Sequence, residues 1–181
     1  MTAITSAQIA TKFSVASAAG NTTAGAASTS LGDQISTTLW AGGAINDLFD
    51  NISGAENAAS TVDYRCLFVT HSNPSNTFEN PVVFVSSEVA GGASVTIAID
   101  NLAASAIGAA TPQAAMIASE VAAPIGVGAF SAPTTLAAGL ALSNLLVGYC
   151  RAFWVKRAAT NSVAINGDGC TLTIAGDTGA L

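Results

Sequence analysis

Apolar and polar residues alternate most clearly in the middle of the chain. Over Val62-Asp63-Tyr64-Arg65-Cys66-Leu67-Phe68-Val69 the alternation puts Val62, Tyr64, Cys66 and Phe68 on one side of an extended segment. Ser72-Asn73-Pro74-Ser75-Asn76 is turn chemistry. Pro81 to Ser86 predicts a second strand, Gly91-Gly92 a second turn, and Ser94 to Asp100 a third strand with Val95, Ile97 and Ile99 facing one way. Leu146 to Val155 predicts a long strand with Val147, Tyr149, Phe153 and Val155 on one side. Asn166-Gly167-Asp168-Gly169 is a hairpin-turn signature, and Cys170 to Ile174 predicts the strand that closes the sheet. Short strands at this spacing predict an all-β fold, an antiparallel β-sandwich of jelly-roll or Ig-like type.

Two regions lack that period. Residues 1 to about 35 are Ala, Thr, Ser and Gly with almost no large side chains, too little to bury alone. They predict an extended N-terminal arm over residues 1–50, leaving residues 51–181 as the sandwich domain. Ile35 to Phe49 carries Leu39, Trp40, Ile45, Leu48 and Phe49 around Gly42-Gly43. A short helix at Ala44–Phe49 and an extended wrap both fit; the wrap is preferred, with Trp40 and Phe49 as its anchors. Ala103 to Ala123 is Ala-rich enough for a helix, but Pro112 and Pro124 break it and Gly108 weakens it. A long irregular insertion over about 101–145 is expected, and connections that long are often functional or interface-forming.

Composition changes the picture. Five basic and eleven acidic residues make only 9% of the chain charged, against about 25% in an ordinary globular protein. Half the residues are hydrophobic, mostly Ala, and mean hydropathy is +0.52. A surface this bland is expected to lie against copies of the chain or a partner, as in an assembly component. Net charge is −6, and no basic cluster exists beyond Arg151, Lys156 and Arg157, which argues against a nucleic-acid partner. That trio suits a solvated strand end or an interface with acidic loops of a neighbour equally well.

Val121 to Cys150 holds no charge, but its segment Thr134 to Cys150 is only 17 residues long and contains Ser143 and Asn144, so no membrane partner is expected. Met1 to Lys12 lacks a basic region followed by an apolar core, so no signal peptide is expected. The sequons at Asn21 and Asn51 then carry no weight.

Catalytic chemistry is sparse. Cys66, Cys150 and Cys170 form no CxxC pair, and the first two sit in strand-like runs, which predicts buried free thiols. His71, the single histidine, is expected at the surface; Cys66, five residues upstream, would lie on the opposite face of the same strand, so the two make no catalytic pair. Asp47, Asp50 and Asp168 lack any accompanying His pair, Cys pair or calcium-loop pattern, so no metal, no cofactor and no enzyme activity are expected. Gly91-Gly92 and Gly126-Val127-Gly128 lead into no helix carrying a Lys and predict turns rather than phosphate loops.

Ordered short fragments suggest a family. Ser30-Leu31-Gly32, Ile35-Ser36, Leu48-Phe49-Asp50-Asn51-Ile52-Ser53-Gly54-Ala55-Glu56 and Val62-Asp63-Tyr64-Arg65-Cys66 make up the first half. Glu120, Ala123-Pro124, Phe130-Ser131-Ala132-Pro133, Gly139-Leu140, Ala152-Phe153-Trp154-Val155-Lys156-Arg157 and Asn166-Gly167-Asp168 to Gly176-Asp177 make up the second. Over roughly residues 30 to 178 the chain resembles tailed-bacteriophage virion structural proteins of the capsid decoration (cement) type.

The resemblance implies a non-enzymatic β-sandwich, made in the host bacterial cytoplasm and located in the virion. It would be a homo-oligomer, a trimer favoured, bound to the major capsid protein or other virion proteins. Candidate interface anchors are Trp40, Phe49, Arg151, Lys156 and Arg157, with the 101–145 excursion as a second contact surface. Removing residues 1–30 is then expected to abolish particle binding and leave the sandwich folded. A tail, neck or baseplate subunit is the alternative. A receptor- or glycan-binding module would need exposed aromatics, and the turn regions Ser72–Asn80 and Asn161–Gly169 contain only Phe78.

Overall fold

The computed structural model describes residues 3–16, 21–163, 165 and 167–180. The strands are β1 (Ile9–Val15), β2 (Gly32–Leu39), β3 (Val62–His71), β4 (Asn76–Glu88), β5 (Ser94–Ile99), β6 (Ser105–Ala106), β7 (Ala114–Met116), β8 (Leu140–Ala141), β9 (Tyr149–Ala158) and β10 (Cys170–Ala180). The larger sheet runs β5-β9-β3-β1-β2-β7, with β6 pairing the start of β9; the smaller runs β10-β4-β8. Every pairing is antiparallel. The all-β antiparallel sandwich read from the sequence is the architecture of the chain.

Alternation explains the core. On β3, Leu67 and Val69 turn toward the smaller sheet, where they meet Phe78, Val83 and Val85 together with Ile97, Phe153 and Val155. The opposite face of the same strands carries Tyr64, Cys66, Phe68, Ala152 and Trp154. Antiparallel sheets commonly leave one face to water; here β3 is buried at every position from Asp63 to His71. The cover on the second face is the 101–145 excursion, which lays Ala114, Ile117, Ala122, Val127 and Phe130 over it. Phe130 meets Tyr64 edge to face at 5.5 Å. The molecule therefore has three layers: small sheet, large sheet and excursion. Among the described residues of that excursion there is no α-helix, only β6, β7, β8 and a single 3₁₀ turn at Leu136–Ala138.

Four expectations need correction. First, the strands inside the expected 1–50 arm belong to the larger sheet: β1 pairs with β3, Ile9 opposite His71 and Phe13 opposite Leu67, and with β2 on its other side. Residues 1–2 and 17–20 of that arm lie outside the described residues. Small side chains are needed here because the backbones pack closely. Ser14, Ser30 and Ser36 are fully buried, and the Gly32 N–H donates to Ser14 Oγ at 2.8 Å while the Ser14 N–H donates to Ser30 Oγ at 2.9 Å. These hydroxyls satisfy backbone groups where the β1–β2 register shifts. Second, Val147-Gly148 forms a turn before β9, so Val147 is exposed rather than on the strand.

Third, the segment around Gly167-Asp168-Gly169 is no hairpin; Asn166 lies outside the described residues. β9 pairs with β3 and β5 while β10 pairs with β4, so this connection crosses between sheets. Fourth, 44–49 is neither helical nor part of a free arm. It is a loop whose Leu48 and Phe49 pack on the core beside Trp40. The short helix α1 (Gly54–Ala59) follows, capped reciprocally by the Glu56 N–H to Ser53 Oγ and the Ser53 N–H to Glu56 Oε2 at 3.2 and 2.7 Å.

Because β1 is flanked by strands on both sides, deletion of residues 1–30 is expected to unfold the larger sheet, read as loss of the cooperative transition in thermal melts. The seam also makes Gly32 irreplaceable. Its φ is +99°, and an added Cβ would collide with the Ala115 carbonyl; Gly108, at φ +93°, has open space around it. Gly32→Ala should cost about 3 kcal/mol or more and Gly108→Ala about 1–2 kcal/mol, by urea denaturation.

Candidate interaction surface

The residues proposed as anchors are mostly committed inside the chain. Arg157 is only 8% exposed. Its Nε and Nη2 donate to Asp63 Oδ2 at 3.1 and 2.6 Å, and Nη2 also reaches Asp50 Oδ1 at 3.1 Å. Its Nη1 donates to the Asp50 carbonyl. Arg65 pairs with Glu120 of the excursion. Both guanidiniums lie over the Phe49 ring, Arg157 at 4.8 Å and Arg65 at 5.4 Å from its centroid, so the ring is held by cation–π contact rather than offered outward.

Arg151 is buried as well and donates to the Asp100 and Leu102 carbonyls. Trp40 is half-buried against the core, and its Nε1 has no hydrogen-bond partner among the described residues. Of the three basic anchors only Lys156 is left half-exposed, its side chain making no hydrogen bond or ion pair among the described residues. As anchors between subunits, Arg151 and Arg157 are corrected: a guanidinium leaving a buried partner would strand that charge.

The site that sequence reading missed is Asp100. It is fully buried at the end of β5 and accepts from Trp154 Nε1 and the Ala115 N–H at 2.9 and 2.8 Å through Oδ2, and from the Leu102 N–H at 2.9 Å through Oδ1. Gln113 does similar work. Its Nε2 donates to the Ala106 carbonyl at 2.8 Å and its Oε1 accepts from the Ile35 N–H at 3.0 Å. These two side chains tie the excursion to the sheet. An acid ending an apolar strand and followed by Asn101 was the available signal, since such residues commonly close on the backbone two positions on.

Nucleophile chemistry is suppressed by burial. The Cys66 thiol is pushed well above its ordinary value by desolvation, with Asp100 adding to the shift. Desolvation raises Cys150 to about 12, and desolvation followed by Glu88, Asp168 and Asp47 raises Cys170 to about 11. All three are held as thiols at neutral pH. His71, expected at the surface, is 4% exposed, with Nε2 against the Leu145 carbonyl at 2.9 Å and its ring edge to face with Phe78. It points to the inter-sheet core whereas Cys66 points to the other face, as strand parity requires. Among the described residues no group of three His, Cys, Asp or Glu side chains is placed to hold a metal ion, and no helix is long and apolar enough to cross a membrane.

What the chain does present outward is aliphatic. Leu102, Met116, Val121 and Ile125 of the excursion, Leu136 beside β8, and Leu39 and Ile45 beside Trp40 are all exposed, Ile45 and Ile125 by about nine-tenths. The excursion is thus apolar on both sides. No protein-family model, no curated protein and no solved structure matches this chain.

Two outcomes follow. Asp100→Asn sets an amide N–H against a donor whichever way it is oriented. It should cost about 2–4 kcal/mol in urea denaturation and move the first cut in limited proteolysis into residues 101–130. The raised thiols make stability pH-dependent. Below the unfolded thiol value of about 8.5 both states hold the proton and stability is level; above it only the unfolded chain releases protons, so stability falls as pH rises through about 11 to 12. Urea midpoints should drop between pH 8 and pH 10.5, and less steeply in Cys170→Ser.

Proposed function

We propose that this chain is a non-enzymatic structural subunit of a bacteriophage virion, a capsid cement protein that stabilises capsomer junctions through apolar contact. The observation that carries the reading is the outer side of the excursion. It keeps Met116, Val121 and Ile125 in solvent on a layer whose inner side is already used for folding. Exposed aliphatic surface of this kind marks interaction sites. At about 25 cal/mol per Å² a modest interface repeated over many copies offsets considerable strain in a shell.

The charge distribution adds to it. Arg65, Arg151 and Arg157 are taken up internally, so of five basic residues only Lys12 and Lys156 are left for the exterior. The surface it binds on the major capsid protein would be apolar or basic rather than acidic. A tail, neck or baseplate subunit would use the same surface and is separated by copy number. Phe78, the one aromatic in the turn regions weighed for glycan binding, is 1% exposed and serves the core, which supports the structural reading over a glycan-binding module.

The test is quantitative mass spectrometry of purified particles from the source strain. On the order of hundreds of copies per particle are expected for cement, and tens or fewer for a tail or baseplate ring. Absence of the chain from purified particles would sink the virion reading. With particles in hand, Ile125→Asp combined with Met116→Asp should reduce occupancy at least about tenfold while leaving the melting curve unchanged.

A further inference from the structure

Among the described residues the long sheet edges are covered, with one exception. The outer edge of β5 is paired by the excursion, with Ile97 N–H to the Ser131 carbonyl at 2.8 Å, Ser131 N–H to the Ile97 carbonyl at 3.0 Å and Gly128 N–H to the Ile99 carbonyl at 2.8 Å. The part of β3 that outruns β1 is paired by Ser30 and Glu120, whose carbonyls accept from the Cys66 and Tyr64 N–H groups at 2.8 and 2.7 Å. The outer edge of β2 is taken by residues 21–23 and by β7, and β7 and β8 are three and two residues long. β10 is different. It is 11 residues long, ends the smaller sheet, and among the described residues no backbone group other than those of β4 and its flank pairs with it.

This edge has few of the usual protections, one charge at Asp177 among them. A free edge is ordinarily blunted by Pro, Lys, a bulge or a cover. Thr171 to Asp177 contains no Pro and no Lys. The two register shifts against β4 both place the extra residue on β4. From Thr171 to Leu172 β10 advances one while β4 retreats two, from Ser87 to Val85; from Ala175 to Asp177 β10 advances two while β4 retreats three, from Val82 to Glu79. β10 itself runs without a bulge. Among the described residues the one hydrogen bond it receives from beyond the sheet is at its far end, where the Ile4 N–H donates to Thr178 Oγ1 at 2.9 Å. Leu172 and Ile174, on the core side, are only half-buried, so the sandwich stays open beside this strand.

We infer that the Thr171–Asp177 edge of β10 pairs antiparallel with the same edge of a second copy of this chain, joining two three-stranded sheets into one of six strands across a two-fold axis near Ile174. The edge is complementary to itself. With Ile174 on the axis, Thr173 faces Ala175 of the other copy, and Asp177, the only charge, faces Thr171 rather than its own copy. No like charges meet. An edge can pair with itself only about a two-fold, and a three-fold ring joined edge to edge would require a second free edge of comparable length, which the described residues do not supply. The inference thus replaces the expected trimer with a dimer. It does not rest on the virion reading, because its readout is the isolated protein.

Sedimentation equilibrium of the full chain is expected to show a dimer at micromolar concentration. Thr173→Lys with Ala175→Lys opposes lysine to lysine at both 173–175 pairs and should weaken association at least about tenfold. Thr173→Glu with Ala175→Lys puts opposite charges at the same places and should restore it to within about threefold. Hydrogen exchange of the unaltered chain should show amides between residues 171 and 177 gaining protection as concentration rises, which keeps the test valid should the double-lysine variant fail to fold. A monomer at 100-fold higher concentration (about 100 μM), a trimer, a dimer indifferent to the paired lysines, failure of the Glu/Lys variant to associate, or concentration-independent exchange over these residues would each overturn it.

Discussion

A β-sheet that is apolar on both faces has no face to give to water, and the larger sheet of this protein is one. Leu67, Val69, Phe153 and Val155 point one way and Cys66, Phe68, Ala152 and Trp154 the other, on adjacent strands of the same sheet. One cover is a second sheet, the ordinary solution of a sandwich. The other is a stretch with almost no regular structure. The size of the excursion follows from the area to be covered, and its irregularity from the prolines and glycines that keep it out of a helix.

An irregular cover holds position only if its backbone groups find partners, and Asp100 supplies them. Taking a carboxylate out of water costs several kcal/mol even after relaxation. Three hydrogen bonds to a charged acceptor, at about 1.5–3 kcal/mol each, offset that. The alternative would be worse, with the Trp154 indole N–H and two backbone N–H groups buried and unsatisfied. Trp154 itself brings about 150–250 Å² of buried surface, or about 4–6 kcal/mol at 25 cal/mol per Å², to the same spot. The arginines follow a related logic. Arg151 fastens the turn after β5, Arg65 fastens Glu120, and Arg157 fastens Asp50 and Asp63 around Phe49. A chain with few charges has used its arginines as internal pins, which makes the outside blander than composition suggests.

Strands were legible where the period of two is strongest: β3, β5 and most of β9 follow from residues such as Val62 to Val69 and Ser94 to Asp100. Only Pro81–Ser86 of β4 and Cys170–Ile174 of β10 were read, and Asn76 to Asn80, taken for a turn region, is the first part of β4. β1 and β2 were not legible. Their residues are small because Ser14, Ser30, Ser36, Gly25 and Gly32 lie where backbones approach closely, and small residues also make up flexible tails. The same ambiguity hid Asp100 and Gln113, since a buried polar side chain is recognised by its partners and these lie 2 to 78 residues away along the chain.

By itself the sequence determined an antiparallel all-β chain, a long excursion interrupted by proline and glycine, thiols placed in strands and a surface short of charge. Each is a local property, written in the period of side chains or in residue counts. Only the tertiary structure decided which strands share a sheet, that the region taken for an arm forms two strands of the larger one, and that Arg151, Arg157 and His71 are buried. It alone shows that, among the described residues, every long edge is covered but one. Burial and pairing are relations between distant segments, and the energy that settles them, desolvation weighed against partners found, exists only once those segments meet.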